Sequence, residues 1–349
     1  MLRSGPFIPL VPNGHLLTVL ANYWPRRLDE RRYPPHQRVY STEPGVQIVV
    51  HEHRPDGDAL GEVVIVHGLE GSSQAGYIRS LAQAALQAGF AVHRFNIRSC
   101  GEGESLCRGI YHAGLTSDLE WLVFELKRQG RGPVIAVGFS LGGNMVIKLA
   151  GELQERAPLA AVCGVSVPLD LAACARGIAE PGNRLYEMRF LRNMKRRTRA
   201  RGISPGLLDN IRSVFEFDDL ITGPSFGFRG ALHYYETQSA RNFLKKIRVP
   251  ALLIQAQDDP LVPFRVFQDP ELWTNPYVRL LAPKHGGHVG FISRRKPRNW
   301  LDSVIVEWAS GLRNNTSDLK EDLPLVKPVA QIPHHGQNQK MLRNGSEVS

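Results

Sequence analysis

Three kinds of side chain occur along this chain in the order that nucleophilic acyl chemistry requires. Ser140 stands in Gly138-Phe139-Ser140-Leu141-Gly142, two aspartates, Asp258 and Asp259, end the run "LLIQAQDD", and two histidines, His285 and His288, stand in "LLAPKHGGHVGF". A serine hydroxyl is a weak nucleophile until a base takes its proton, and the base in turn needs an acid to orient it. Each group follows an apolar run, so each is expected at the carboxyl end of a strand, where an α/β sheet gathers its ligands.

The pentapeptide around Ser140 has the form of a nucleophile elbow, a tight strand-to-helix turn that lifts the hydroxyl above the sheet. Gly138 and Gly142 flank the serine because such a turn is strained and its backbones approach closely. The helix after Ser140 would aim its first amides, beginning with Leu141, at an oxyanion. A second amide should come from the loop after an earlier strand. "VVIVHGLEGSS" supplies one, with His67-Gly68 at the strand end and the Leu69 amide as the natural donor. Glu70 is an odd neighbour for a developing negative charge, and its carboxylate is expected to point away or to bind basic groups.

The doublets leave two pairings open. Asp259 is favoured because Asp-x-x-Val-Pro is the usual shape of an acid loop, and His288 because it follows Gly-Gly and precedes Val-Gly-Phe. A metal site built from the same histidines and aspartates finds no ligand spacing elsewhere to support it. The chemistry calls for no cofactor.

These residues need a scaffold. From Glu62 onward short apolar runs alternate with helix-length segments, the pattern of a parallel sheet covered on both faces. Residues 1–60 read as an N-terminal extension with the first strand or strands, in which "GVQIVVHEHRP" alternates as an edge strand or hairpin opening. Residues 61–168 read as the first part of the core and 248–312 as the second. Between them, 169–247 loses the strand-helix alternation and reads as a helical cap inserted over the carboxyl ends of the strands. Residues 313–349 are polar and proline-punctuated and read as a disordered tail. Ser117 and Glu120 have capping-box spacing and place the start of one helix.

Composition excludes several classes. Of the 349 residues 42% are hydrophobic and 22% charged, as in ordinary globular proteins. No apolar run approaches the roughly 20 residues of a membrane-spanning helix, and Pro6, Pro9 and Pro12 interrupt any export signal, so the cytoplasm is the expected location. Cys100, Cys107, Cys163 and Cys174 show no paired spacing and read as buried free thiols. A formal charge of +10 permits acidic partners, yet no nucleic-acid module is present.

Eight cations lie between Arg184 and Arg201, with Glu187 as the only acid. A solvated helix face is the reading favoured here; contact with anionic lipid is the alternative. Leu185, Met188, Phe190, Leu191 and Met194 interleave with the cations and are expected to roof a pocket. Tyr111 and His112 read as packing residues.

The segments "NGHLLTVL", "HGLEGSS", "FNIRSCGEGES", "IYHAGLTSDL", "GFSLGGNM", "NRLYEMRFLRNMKR", "AQDDPLVP" and "HGGHVGF" together resemble the YheT-type subgroup of α/β-hydrolases, the AB-hydrolase 4 esterases. The resemblance implies an α/β-hydrolase fold, a triad of Ser140, Asp259 and His288, oxyanion amides at Leu69 and Leu141, and hydrolysis of small-molecule esters of short- to medium-chain acids. Acyl transfer to an alcohol would use the same residues. A hydrolase fold that binds a small ligand without catalysis is the reading from another class, and it would not need all three triad residues. Ser99 stands where a typical member has glycine.

Overall fold

The computed structural model describes residues 5–203 and 205–314. Eight strands form one sheet in the order β1-β2-β4-β3-β5-β6-β7-β8. They are β1 (His36–Glu43), β2 (Val46–His53), β3 (Glu62–Val66), β4 (Ala91–Phe95), β5 (Val134–Phe139), β6 (Leu159–Val165), β7 (Ala251–Ile254) and β8 (Val278–Leu281). The β1–β2 and β2–β4 pairings are antiparallel and all the others parallel.

The central strands are buried along their whole length, so their side chains are apolar on both faces. Strand periodicity divides them between two cores. Val64, Val66, Val134 and Ala136 enter one, while Val63, Ile65, Ile135, Val137 and Phe139 enter the other. The helices are α1 (Gly14–Tyr23), α2 (Gly76–Gln87), α3 (Ser117–Arg128), α4 (Leu141–Leu153), α5 (Leu171–Ile178), α6 (Arg184–Arg199), α7 (Pro205–Asn210), α8 (Val214–Phe217), α9 (Gly223–Ser225), α10 (Ala231–Gln238) and α11 (Trp300–Asn314). Residues of α3 and α4 fill the first core and those of α2 and α11 the second. Helices therefore cover both faces of a mostly parallel sheet, and α5 to α10 form the helical insertion between β6 and β7.

Chain order reverses at β3, whose neighbours are β4 on one side and β5 on the other. The loops that leave β3 and β5 thus flank a topological switch point, the usual place for a ligand crevice.

Three local expectations need correction. "GVQIVVHEHRP" forms β2, which belongs to a hairpin with β1 but is not an edge; β1 lies outside it and takes the exposed position, with only intermediate or exposed residues. The Ser117–Glu120 capping box does not form: Thr116 is the N-cap of α3 and makes no side-chain capping bond. The Thr116 hydroxyl is instead given to Glu152 at 2.7 Å, and Ser117 Oγ accepts from Arg98 at 3.4 Å. The Glu120 amide that a capping serine would have accepted bonds to the Thr116 carbonyl at 2.8 Å, because the helix already includes Ser117 as its first residue. Finally, α1 lies in a stretch that gave no helical signal. The tail expected from residue 313 lies, from 315 onward, outside the described residues.

Candidate active site

Ser140 sits between the last residue of β5 and the first of α4 with φ 52° and ψ −121°. Only a strained turn holds a non-glycine residue there, and the flanking glycines show what the strain requires. A Cβ on Gly138 would stand 2.2 Å from the Gly142 carbonyl oxygen, and one on Gly142 would stand 2.4 Å from that of His67. The elbow closes because neither residue has a side chain.

From Ser140 a continuous line of polar atoms leads into the sheet. His288 Nε2 lies 2.9 Å from Ser140 Oγ, and His288 Nδ1 lies 3.0 Å from Asp259 Oδ2. Asp259 Oδ1 accepts the amides of Leu261 and Val262 at 2.9 and 3.0 Å, and its Oδ2 accepts Gln255 Nε2 at 3.1 Å. These bonds fix the carboxylate toward the imidazole.

The other members of the doublets pair with each other. Asp258 Oδ2 meets His285 Nδ1 at 2.9 Å, and its Oδ1 accepts the Gly287 amide at 2.9 Å. Asp258 and His285 therefore stay apart from Ser140 and brace the loop that carries His288.

His67 and Gly68 support the loop after β3. Burial lowers the His67 pKa to about 4, so the ring is neutral; its Nδ1 donates to the Gly68 carbonyl at 2.8 Å and its Nε2 accepts the Ile97 amide at 3.2 Å. The Gly68 amide is given to the Tyr77 hydroxyl at 3.1 Å and that of Glu70 to the Tyr111 hydroxyl at 3.0 Å. Between them, the Leu69 amide has no acceptor among the described residues. Leu141, as the first residue of α4, has no intrahelical acceptor either.

Sequence reasoning missed the part played by α1. The His288 amide donates to Thr18 Oγ1 at 2.8 Å, and that hydroxyl donates to the Gly14 carbonyl at 2.7 Å. A Cβ on Gly287 would stand 2.3 Å from the Gly14 oxygen, so loop and helix meet backbone to backbone. The only signal was the segment "NGHLLTVL" itself, whose use is invisible without the contact.

The basic run also divides differently from the expectation of a solvated face. Arg197 is buried: Nη2 pairs with Glu70 Oε2 at 3.1 Å, Nη1 lies 2.9 Å from Cys100 Sγ, and Nη1 also donates to the Ser99 carbonyl. Tyr111 donates to Glu70 Oε1 at 3.0 Å. The Glu70 carboxylate thus binds a basic neighbour, as expected of it. Ser99 has φ 65°, the left-handed conformation that glycine adopts freely, and Ser99 Oγ donates to the Gly109 carbonyl at 2.5 Å.

A cavity of about 110 Å³ opens over Ser140 and His288. Phe190 and Met194 of α6 line it, together with Leu171 and Ile178 of α5 and Phe217 of α8. Of the other residues expected in the roof, Leu191 is buried but does not line the cavity, while Leu185 and Met188 are 81% and 58% exposed. At helical spacing Leu185 and Met188 fall on the outer face of α6 with Arg189 and Arg192. The four cysteines are free and buried. Among the described residues no cluster of three or more His, Cys, Asp or Glu side chains is placed to hold a metal, and no helix is long and apolar enough to cross a membrane.

The sequence profile of the α/β hydrolase fold matches residues 62–294, and the chain belongs to that family. Within it the chain is of the YheT type. It is 34% identical over 321 residues to "Putative esterase YheT" of Escherichia coli (strain K12), across 87% of this chain and 93% of that one. A monoacylglycerol lipase of Saccharomyces cerevisiae is 32% identical over 297 residues, 78% of this chain, which spans 66% of the yeast protein. In three dimensions an esterase from Pyrococcus furiosus superposes with a TM-score of 0.55 at 20% identity, over 82% of this chain and 98% of that one. The class defined is a hydrolase.

Proposed function

We propose that this chain is a serine esterase that cleaves carboxylic esters of short- to medium-chain acids through an acyl-enzyme. The observation that carries the reading is the unbroken line Ser140–His288–Asp259 opening on an apolar cavity. The esterase and lipase names of its relatives support ester hydrolysis in general.

In this mechanism His288 Nε2 takes the Ser140 proton as Oγ bonds to the ester carbonyl carbon. The carbonyl oxygen becomes an oxyanion and is received by the amides of Leu69 and Leu141, donors left uncommitted by the loop and the helix. His288 then gives its proton to the departing alkoxide as the carbon–oxygen bond breaks. Water, deprotonated by the same imidazole, attacks the acyl-enzyme and frees Ser140. Asp259 holds the proton of His288 on Nδ1 and steadies the imidazolium. His67 and Gly68 hold the oxyanion loop, and Gly138 and Gly142 hold the elbow.

The test is mass spectrometry of intact protein after exposure to a small fluorophosphonate, with digestion to locate the adduct. One adduct on Ser140, absent from His288→Ala, is expected. Folded wild-type protein that takes no label, or takes it elsewhere, overturns the reading.

A further inference from the structure

Ser140 and His288 occupy one part of the cavity wall, and another part carries polar groups that the mechanism above does not use. His112 and Tyr234 are 7% and 3% exposed, both line the cavity, and their ring centroids are 5.5 Å apart. His112 Nδ1 accepts the Gly114 amide at 3.2 Å, which puts the ring proton on Nε2. That Nε2 donates to no group among the described residues, yet it is not sealed inside protein, so it opens on the free space beside the ring. The Tyr234 hydroxyl accepts the Ala113 amide at 2.8 Å, and its own proton likewise goes to no acceptor among the described residues.

Both donors stay neutral and protonated near pH 7. Burial, aided by Lys148 and Arg98, lowers the His112 pKa to about 3, and burial raises that of Tyr234 well above its usual value. No protein group among the described residues accepts either proton, so each is left for a ligand atom in the cavity. Their surroundings offer apolar alternatives, for Phe226 and Phe228 pack edge-on against His112. A few placed polar groups in an apolar wall are how a pocket orients a ligand.

We infer that His112 Nε2–H and Tyr234 O–H form an oxygen-binding subsite of this cavity, so that the favoured substrates are esters bearing a second oxygen, carbonyl or hydroxyl, in the portion the cavity encloses. The word substrate rests on the esterase reading; the subsite does not. Asp218, which accepts the Tyr235 hydroxyl at 2.6 Å, lines the same cavity and offers a carboxylate to a ligand hydroxyl. The oxo and hydroxy forms are therefore separate arms of the test.

The experiment measures binding by calorimetry to Ser140→Ala protein, titrated with ethyl hexanoate and with its oxo and hydroxy derivatives at successive carbons. At one position the oxygenated ester should bind about ten-fold tighter than the plain one, the factor one net hydrogen bond supplies. His112→Phe and Tyr234→Phe, each in the Ser140→Ala background, should bring that ratio close to one. Tyr234→Phe keeps the ring, so it answers the question if His112→Phe fails to fold. No preference at any position, a preference that survives both substitutions, or no measurable binding of any ester to folded protein would overturn the subsite. Because Ser140→Ala cannot turn over, the outcome is independent of fluorophosphonate labelling of the wild type, which alone decides the esterase reading.

Discussion

Arg197 of the cap helix α6 and Glu70 of the loop after β3 form an ion pair of 3.1 Å in which both side chains are only 5% exposed. Glu70 follows Leu69 directly and has φ 57°, so the loop turns sharply at the point where its carboxylate is clamped. In a poorly screened site an unpaired carboxylate beside the Leu69 amide would oppose the negative charge that the proposed mechanism places there. Arg197 cancels it.

Removing Arg197 should therefore harm turnover through Glu70. We expect Arg197→Met to lower kcat about ten-fold or more and to cost about 3–5 kcal/mol of stability, because a buried charge loses its partner. Glu70→Gln added to Arg197→Met should recover much of both losses, since it removes the stranded charge. Steady-state kinetics and thermal melts of the four proteins decide it; a double variant no better than Arg197→Met would show that the pair only packs.

The two aspartates should separate cleanly. Asp259→Asn reverses the hydrogen bond at His288 Nδ1 and is expected to cost about 10⁴-fold in kcat, the scale of a base held in the wrong tautomer. Among the described residues the Asp258 carboxylate hydrogen-bonds only His285 and the Gly287 amide, so Asp258→Asn is expected to cost about ten-fold through a loosened loop. Kinetics on one activated ester is enough, and the reverse ranking would reassign the acid.

Thr18 acts on His288 from the other side of the loop. Thr18→Val leaves the His288 amide without an acceptor, a penalty of about 1–3 kcal/mol, and should lower kcat more than it raises KM. Thr18→Ser keeps the hydroxyl and should restore kcat. Equal loss in both variants would assign the effect to packing.

Asp218 gives a pH dependence of stability. Burial raises its pKa from 3.8 to about 6 in the folded chain. Below the lower value the group is protonated folded or unfolded and contributes nothing; between the two values it is protonated only when folded, so rising pH favours unfolding. Above about 6 the whole cost, about 3 kcal/mol, is present. Asp218→Asn should therefore gain stability relative to wild type as pH climbs from 4 to 7, in chemical denaturation at several pH values. A difference that does not change with pH would show that the carboxyl is not perturbed.

How much of this was legible in the sequence depended on the range of each contact. Ser140 between glycines after "VIAV" is a local pattern, and the alternation from Glu62 onward follows from strands buried on both faces, so elbow and fold could be read directly. Thr18 meets His288 across 270 positions, and nothing in "NGHLLTVL" marks a hydroxyl as an amide acceptor. Among the cations of α6, Arg197 looks like its neighbours until the helix is rotated onto the loop that carries Glu70. His112 read as packing because its free nitrogen is visible only against a cavity. The capping box failed for a local reason, since the spacing was present but the helix starts at Ser117 itself and the Glu120 amide is taken by the Thr116 carbonyl.

The cap enters and leaves the sheet between β6 and β7, which are hydrogen-bonded neighbours. On that count one roof could be traded for another without stretching the strands that precede Ser140 and Asp259, provided the new one covered the same core. Arg197 removes that freedom. A grafted roof would have to bring its own cation to Glu70, and a loop that lost Glu70 would strand the arginine of the roof it already has. Chimeras that join one parent's roof to another's β3 loop are therefore expected to fail unless roof and loop both carry this pair.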